Sequence, residues 1–218
     1  IGNWIRNLRL QNSFKMSQAD MDKYIDEINY YQPKLILAYV QSIYELAKYA
    51  RDNDLEVYCP NSIMTSAGVL YPKYRELISE VFNSPVFNRY GTREVADMAC
   101  GCEEHEGLHQ NVFTHYVEII NEGGERCKPG EMGQIVVTSL RNYTMPLIRY
   151  KIGDMGVASD QNCSCGRGLP LLEKVVGRLT DVFRTTNGDV VPGEYFIHFI
   201  GVVLNEGFID KFQVVQEQ

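Results

Sequence analysis

The sequence lacks the features of a membrane protein or a nucleic-acid-binding protein. No apolar run approaches the ~20 residues that a helix needs to cross a bilayer. The first residues have neither the apolar core nor the cleavage site of a signal peptide. The 21 Lys and Arg residues are outnumbered by 28 Asp and Glu residues, and the net charge of −7 argues against nucleic acid as the main partner. We therefore expect a cytoplasmic protein with neither a membrane nor nucleic acid as partner.

An initiator methionine is also missing, which suggests that the chain is a piece of a longer protein. Internal repeats and low-complexity segments are absent. The 218 residues are enough for one large domain or two small ones. A hydrophobic content of 44% and a charged content of 22% are ordinary for a globular protein.

Helical and extended patterns alternate over the first 110 residues. A helix is predicted over 17–32, because Ser17 can cap it and apolar residues follow at helical spacing. Further helices are predicted to begin at a capping box opened by Ser42 and at Pro72. The predicted strands are 35–40, 55–59, 62–66 and 86–90. This alternation predicts an α/β domain over 1–110, in which helices pack on a parallel sheet.

The pattern changes after residue 110, where short strands are separated by Gly and Pro. The predicted strands of this part are 115–120, 134–139 and 155–158. They indicate a small antiparallel, β-barrel-like region over 111–176. From residue 177 a strand at 181–185 and an Asn187–Gly188 hairpin turn predict the start of an α+β C-terminal domain, with a last strand beginning at 212–216. We expect this domain, 177–218, to be incomplete.

The string Y-G-T-R-E follows a predicted parallel strand, and ligands of open α/β sheets bind outside such strand ends. Tyr90 offers a ring face to a base, and Gly91 lets the backbone approach a ligand closely. The Thr92 hydroxyl and the Arg93 guanidinium can each reach a phosphate oxygen, and the sequence leaves open which of them does so. Glu94 can hold Mg²⁺, which prefers oxygen ligands. Taken alone, the string is also typical of a plain strand-to-helix turn.

Two later motifs place polar side chains beside glycines. The string M-P-L-I-R-Y-K-I-G-D ends at Asp154, whose carboxylate can accept hydrogen bonds from both hydroxyls of a ribose. The string G-R-L-T-D places Arg178 after Gly177, where it can reach a ribose or a phosphate. Each is also explained without a ligand, as a turn between strands or as a solvated surface arginine.

In this order and at this spacing, the three motifs resemble those of the adenylate-forming ligases. The usual patterns there are Y-G-x-T-E, R-Y-x-T-G-D and G-R-x-D-D. Residues 65–68 (T-S-A-G) and 37–49 resemble two further stretches of these ligases, so the resemblance covers nearly the whole chain. The branch that the chain resembles most is phenylacetate-CoA ligase and its CapK-like relatives, named for capsular polysaccharide biosynthesis. CapK-like sequences typically read Y-G-S-R-E, so Arg93 favours them over plain phenylacetate ligases.

The resemblance implies an ATP-dependent ligase that joins a carboxylic acid to coenzyme A through an acyl-adenylate. It implies that Tyr90 lies against adenine, Glu94 meets Mg²⁺ and Asp154 binds the ribose. The expected catalytic residues are Thr92, Arg93 and Glu94. The expected residues for binding ATP or AMP are Ser66, Ala67, Gly68, Tyr90, Gly91, Thr92, Asp154 and Arg178. The substrate is expected to be a small carboxylic acid similar to phenylacetate, and the assembly a homodimer.

Parts of the family pattern are missing from the chain. There is no Gly/Ser/Thr-rich phosphate loop upstream, the C-terminal lysine of the family is not reached, and Thr180 stands in place of the hinge Asp. We therefore expect an enzyme fragment that is inactive by itself. Two alternatives stay open. One is a CapK-like adenylating enzyme that passes the acyl group to another acceptor, and the other is a non-catalytic, zinc-clamped module that binds a nucleotide or a protein.

Four of the six cysteines form two C-x-C pairs, and two histidines follow the first pair. Zinc in structural sites takes four Cys or His ligands in a tetrahedron, and without an export signal thiols or metal ligands are expected rather than disulfides. Relatives of phenylacetate-CoA ligase often carry a Cys and a His separated by six residues and a later C-x-C-G-R. That resemblance selects a structural zinc site, with Cys100 and His105 as the alternative ligands. The selected ligands are Cys102, His109, Cys163 and Cys165.

Overall fold

The structure, a computed structural model, describes residues 7–178, 182–185, 190–193, 196, 200 and 212–216. Its helices are α1 (Gln18–Tyr31), α2 (Val40–Asp52) and α3 (Pro72–Phe82). Its strands are β1 (Leu35–Tyr39), β2 (Ser62–Ser66), β3 (Val86–Thr92), β4 (Ala96–Cys100), β5 (Leu108–Gln110), β6 (His115–Ile120), β7 (Met132–Ser139), β8 (Tyr150–Ala158), β9 (Leu171–Arg178), β10 (Val182–Arg184) and β11 (Val190–Pro192).

Nine strands form one mixed sheet in the order β1-β2-β3-β4-β5-β9-β8-β7-β6. β1, β2 and β3 pair in parallel, whereas the remaining neighbours pair antiparallel. β10 and β11 form a separate antiparallel pair. The predicted α/β class is confirmed. The second segment is antiparallel as predicted, whereas its closure into a barrel and the boundaries 1–110, 111–176 and 177–218 stay predictions.

The first residues of α1 and α3 follow from the local sequence, whereas that of α2 does not. Ser17 caps α1 by accepting a hydrogen bond from the backbone N–H of Asp20 at 3.3 Å, and Pro72 begins α3 as the first helical residue. The capping box at Ser42 was a wrong prediction, because α2 already begins at Val40. The Ser42 hydroxyl instead donates to the backbone carbonyl of Ser13 at 3.1 Å.

The segment 55–59 was predicted as a strand and is not one. Its backbone is bonded to a side chain instead of a neighbouring strand. The Asn29 amide donates to the carbonyl of Glu56 at 2.8 Å and accepts from the N–H of Tyr58 at 2.6 Å. One asparagine on α1 thus satisfies the groups that a sheet would otherwise bond.

The main core lies where the three helices meet the parallel strands. Its fully buried members include Ile63 on β2, Ile78 and Phe82 on α3, and Val86 on β3. Burying such a side chain contributes about 1.5–3 kcal/mol relative to leaving it exposed. This core fixes the ends of β2 and β3, from which the candidate site is built.

Little of the C-terminal segment is described. β10 confirms the strand predicted at 181–185, whereas residues 212–216 form no strand, so that prediction was wrong. The Asn187–Gly188 turn and Thr180 lie outside the described residues. Among the described helices, none combines the length and the apolar character that crossing a membrane requires.

Candidate functional site

A cavity of about 600 Å³ lies at the ends of β2, β3 and β9. The structure brings every residue predicted to bind nucleotide or act in catalysis to this cavity, although the segments that carry them lie far apart in the chain. These lining residues are Ser66, Ala67, Gly68, Tyr90, Gly91, Thr92, Arg93, Glu94, Asp154 and Arg178. Their individual roles stay predictions.

Tyr90 and Asp154 are joined directly. The Tyr90 hydroxyl donates to Asp154 Oδ2 at 2.7 Å, and Arg178 Nε lies 3.8 Å from Asp154 Oδ1. Asp154 and Arg178 are opposite each other in the pairing of β8 with β9. The side chain of Asp154 is 14% exposed and that of Arg178 is 60% exposed, so the ion pair is partly screened by water. Asp154 is therefore held mainly by Tyr90, and the ion pair with Arg178 contributes little.

Gly91 lies at a tight backbone approach. The pairing of β3 with β4 shifts register between Tyr90 and Gly91, as in a β-bulge, which re-aims the side chains beside it. A Cβ on Gly91 would stand 2.5 Å from the carbonyl oxygen of Ala96. Only glycine fits here without displacing backbone, so the bulge that presents Tyr90 and Thr92 depends on it.

The turn after β3 leads into β4 and not into a helix, so the strand-to-helix explanation of Y-G-T-R-E is wrong. Thr92 Oγ1 accepts the backbone N–H of Val95 at 3.4 Å. The pKa of Glu94 is lowered by its own backbone N–H, by the Thr92 hydroxyl and by the charges of Arg178 and Arg93. The carboxylate is exposed and ionised, as a magnesium ligand must be.

Several lining residues had not been predicted from the sequence, among them Arg75, Asn88, Arg89 and His105. Asn88 stands two residues before Tyr90 on β3, and alternation along a strand could have placed both on one face. Arg89 bonds to Asp97 Oδ2 at 3.1 Å and to Ser66 Oγ at 3.3 Å. Arg75 comes from α3, where no motif marks it; burial lowers the pKa of its guanidinium.

The four predicted zinc ligands converge in the structure. The donor atoms of Cys102, His109, Cys163 and Cys165 all lie within 4.8 Å of one another. Cys102 Sγ is 3.5 Å from Cys163 Sγ, and Cys165 Sγ is 3.3 Å from His109 Nε2. Tetrahedral zinc with Zn–S bonds of about 2.3 Å places its ligand sulfurs about 3.8 Å apart. The donor set and its spacing therefore fit a structural zinc ion.

Burial supports the same conclusion. Cys102 is 3% exposed, His109 6% and Cys163 8%. His109 Nδ1 is buried and has no hydrogen-bond partner among the described residues. The other ring nitrogen, Nε2, faces Cys165 Sγ at 3.3 Å, so Nε2 is the nitrogen that could bind a cation while Nδ1 carries the ring proton.

The two alternative ligands do not join this group. Cys100 lies on β4, and its donor atom is outside the group of four. His105 is exposed, lines the 600 Å³ cavity and has its ring centroid 6.3 Å from that of Phe87. Cys59 and Cys127 also lie outside the group.

Comparison with known proteins gives two related sequences, although no family model matches the chain. Protein CapK of Staphylococcus aureus is 28% identical over 210 residues, which are 94% of this chain and 45% of CapK. Phenylacetate-coenzyme A ligase of Thermus thermophilus is 27% identical over 157 residues, covering 66% of this chain and 35% of that protein. The chain is a relative of CapK and phenylacetate-CoA ligase, among the adenylate-forming ligases. It spans less than half the length of either.

Solved structures share the fold of this ligase relative. A 2-hydroxyisobutyryl-CoA ligase in complex with R3-HIB-AMP matches with a TM-score of 0.72 and 20% identity over 95% of this chain and 44% of that one. An O-succinylbenzoate coenzyme A synthetase of Bacillus subtilis, in complex with ATP and magnesium, matches with a TM-score of 0.57 and 19% identity. That match covers 82% of this chain and 38% of the synthetase.

Proposed function

We propose that the protein to which this chain belongs is an ATP-dependent carboxylate–CoA ligase, and that the cavity described above binds the AMP part of ATP. The observation that carries the proposal is the pairing of Tyr90 with Asp154 at 2.7 Å on the wall of that cavity. An aromatic ring beside an acceptor-only carboxylate suits a nucleoside, because the ring can stack on the base while the carboxylate binds the ribose diol.

The phosphate end of the nucleotide is assigned to the turn after β3. The Thr92 hydroxyl already holds this turn through Val95, whereas the exposed Arg93 presents a forked cation that suits phosphate oxygens. We therefore favour Arg93 as the group that contacts the α-phosphate. Glu94 is ionised and would hold Mg²⁺, which when bound neutralises phosphate charge.

The chemistry proposed for the first step is displacement at phosphorus. A carboxylate oxygen of the acid bonds to the α-phosphorus of ATP, the bond to the β-phosphate oxygen breaks, and pyrophosphate leaves. In the second step the sulfur of coenzyme A bonds to the acyl carbon and AMP leaves. The residues of this chain contribute by positioning the nucleotide and stabilising charge at the phosphoryl centre.

The acid is proposed to be an aromatic one similar to phenylacetate, because a phenylacetate-coenzyme A ligase is among the relatives. A second candidate is a CapK-like adenylating enzyme with an acceptor other than coenzyme A. The match to CapK extends over 94% of the chain, and Arg93 gives the first motif its CapK-like form. A binding module without catalysis has no observation in its favour over these two. A cytoplasmic location and a homodimer remain expectations.

The metal site is proposed to be structural. Four protein ligands complete a zinc tetrahedron and leave no open position for a substrate. The ion would join the segment after β4 to the segment before β9, which lie 61 residues apart between Cys102 and Cys163. A clip that closes so long a loop restricts the unfolded chain strongly.

The test is carboxylate-dependent ATP–pyrophosphate exchange by the full-length gene product, with phenylacetate, benzoate, short fatty acids and amino acids. Exchange with one class of acid supports adenylation and identifies the substrate class. Adding coenzyme A then separates the two candidates, because only a CoA ligase forms the acyl thioester. Absence of exchange with every acid, from folded protein supplied with Mg²⁺, would contradict the proposal in favour of a binding module.

A further inference from the structure

The loop 101–107 between β4 and β5 lies between the two candidate sites. Gly101, His105 and Gly107 of this loop line the nucleotide cavity, while Cys102 belongs to the metal group. The alternation continues into β5, where Leu108 lines the cavity and the next residue, His109, is a metal ligand. One short segment therefore contributes neighbouring residues alternately to the two sites.

The two ends of the loop are fixed by the pairing of β4 with β5 and of β5 with β9. The loop itself has no regular secondary structure. Its backbone bonds within the described residues include Gly101 N–H to Asn88 O at 2.8 Å and His105 N–H to Cys102 O at 3.2 Å. The first of these ties the loop to a residue that itself lines the cavity.

Two polar contacts join this loop to the segment that carries the later cysteines. Glu103 and Arg167 form an ion pair at 2.9 Å, with side chains 57% and 45% exposed. Glu106 accepts from the backbone N–H of Ser164 at 2.8 Å and from its hydroxyl at 3.0 Å. Exposed pairs of this kind contribute little to stability. The pairing of β5 with β9 joins the strands that follow the two segments, and the buried metal group is the connection that reaches the loop itself through Cys102.

The same connection reaches the opposite wall of the cavity. Leu171, at the start of β9, packs against Cys102 and Cys163, and Glu173 and Lys174 further along β9 line the cavity. The loop also lies tightly on β9, since a Cβ at Gly107 would stand 2.7 Å from the carbonyl oxygen of Leu172. Metal ligands thus stand behind both the loop wall and the β9 wall.

We propose that a metal ion bound by Cys102, His109, Cys163 and Cys165 holds the loop 101–107 in the position that builds one wall of the nucleotide cavity, so that metal binding and nucleotide binding are coupled. The inference rests on the proposed nucleotide site. Coupling between two sites is reciprocal. Removing the metal lowers the affinity for AMP, and AMP raises the affinity for the metal by the same factor.

The test compares AMP binding by the zinc-loaded chain and by the chain freed of zinc with a chelator, using an NMR titration, with circular dichroism to check folding. We expect AMP to bind about tenfold more weakly without zinc, within the usual range for coupled sites, and zinc to be released to a competing chelator about tenfold less readily when AMP is present. Equal AMP affinity in the two forms would overturn the inference alone. Absence of AMP binding by the loaded chain would overturn the proposed nucleotide site and, with it, this inference.

If the zinc-free chain unfolds, zinc release from the loaded chain still tests the coupling, and equal release with and without AMP overturns the inference. The His105→Ala variant then tests the loop wall, because His105 belongs to the loop but not to the metal group. If the variant keeps its zinc and binds AMP severalfold more weakly, the result supports a loop wall that contacts the nucleotide. Unchanged zinc content with unchanged AMP affinity overturns it. Cys127→Ser is the matched control among the cysteines, since it lies outside the metal group and is not among the residues that line the cavity.

Discussion

Tyr90 and Asp154 are 64 positions apart in the chain, and the hydroxyl of the first donates a hydrogen bond of 2.7 Å to the carboxylate of the second. The pair joins the end of β3 to the middle of β8, and it orients an acceptor that is only 14% exposed. A nucleotide that stacks on the ring would meet the carboxylate at a fixed distance and angle.

The Tyr90→Phe substitution keeps the ring and removes this hydrogen bond. We expect AMP to bind about fivefold more weakly, because the carboxylate loses an orienting contact that contributes about 1 kcal/mol. Tyr90→Ala should cost more, since the stacking surface is also lost. Titration of AMP into both variants and the wild type measures the difference. Equal losses of affinity in the two variants would show that the Tyr90 ring does not contribute to AMP binding.

The Asp154→Ala substitution removes the proposed ribose acceptor itself. Loss of a largely buried, hydrogen-bonded carboxylate should weaken AMP binding by at least about 2 kcal/mol, or roughly 30-fold. The matched control is Asp160→Ala, because Asp160 is exposed and lies outside the cavity. A module held together by zinc and lacking a nucleotide site would show no difference between these two variants.

The Gly91→Ala substitution tests the bulge that presents the site. The new Cβ would stand 2.5 Å from the backbone oxygen of Ala96, so β3 and β4 must separate. We expect a loss of about 1–3 kcal/mol in the free energy of unfolding, measured by urea denaturation, together with weaker AMP binding. Gly123→Ala serves as the control, because the nearest atom to its new Cβ would be the end of the Asn121 side chain at 3.3 Å. A comparable loss of stability in this control would show that the bulge is not the cause.

Metal content provides an independent test of the cysteine group. Purified chain should contain one zinc ion per molecule, and Cys163→Ser should lose most of it, because a hydroxyl is a poor replacement for a thiolate ligand. Cys127→Ser should retain the full content. Elemental analysis decides the matter, and equal zinc content in the two variants would contradict the assigned ligand set.

Substitutions that remove volume from the core should lower the free energy of unfolding, as they do in densely packed proteins. Ile63 on β2 is fully buried, so Ile63→Ala should lower the free energy of unfolding by about 2–5 kcal/mol, while Ile63→Val should cost about 0.5–1.5 kcal/mol. Leu10→Ala is the control, since Leu10 is 72% exposed and should change little. Urea denaturation of the three variants gives the values; a cost at Leu10 equal to that at Ile63 would be inconsistent with the described core.

The meeting of residues 66–68 with 90–94 in one cavity could be predicted from the sequence, because polar residues at the carboxyl ends of parallel strands share one edge of a sheet. Asp154 and Arg178 lie on the antiparallel strands β8 and β9, and only the resemblance to the ligases placed them at the same site. The α1 and α3 boundaries followed from Ser17 and Pro72 for similarly local reasons. The four metal ligands, selected by resemblance, also meet in space.

What the sequence did not predict depends on contacts between distant segments. The strand expected at 55–59 is absent because Asn29, on another element, bonds its backbone. β9 was not predicted because its residues do not alternate. Its pairing with β8 shifts register at two places, and each shift moves side chains to the other face of the sheet. Arg75 reaches the cavity from a helix surface, and only the tertiary structure places it there.

The long separation between the partners in both candidate sites has a consequence for folding. Tyr90 and Asp154 are 64 positions apart, and Cys102 and Cys163 are 61 apart, whereas the parallel part of the sheet pairs strands that lie nearer in sequence. Contacts across long loops are closed slowly, because chain entropy opposes them before any contact compensates. During refolding, the helices and the strands that pair with near neighbours in sequence, such as β6 with β7 and β7 with β8, should therefore form first. The ability to bind zinc and AMP should be the last property to return.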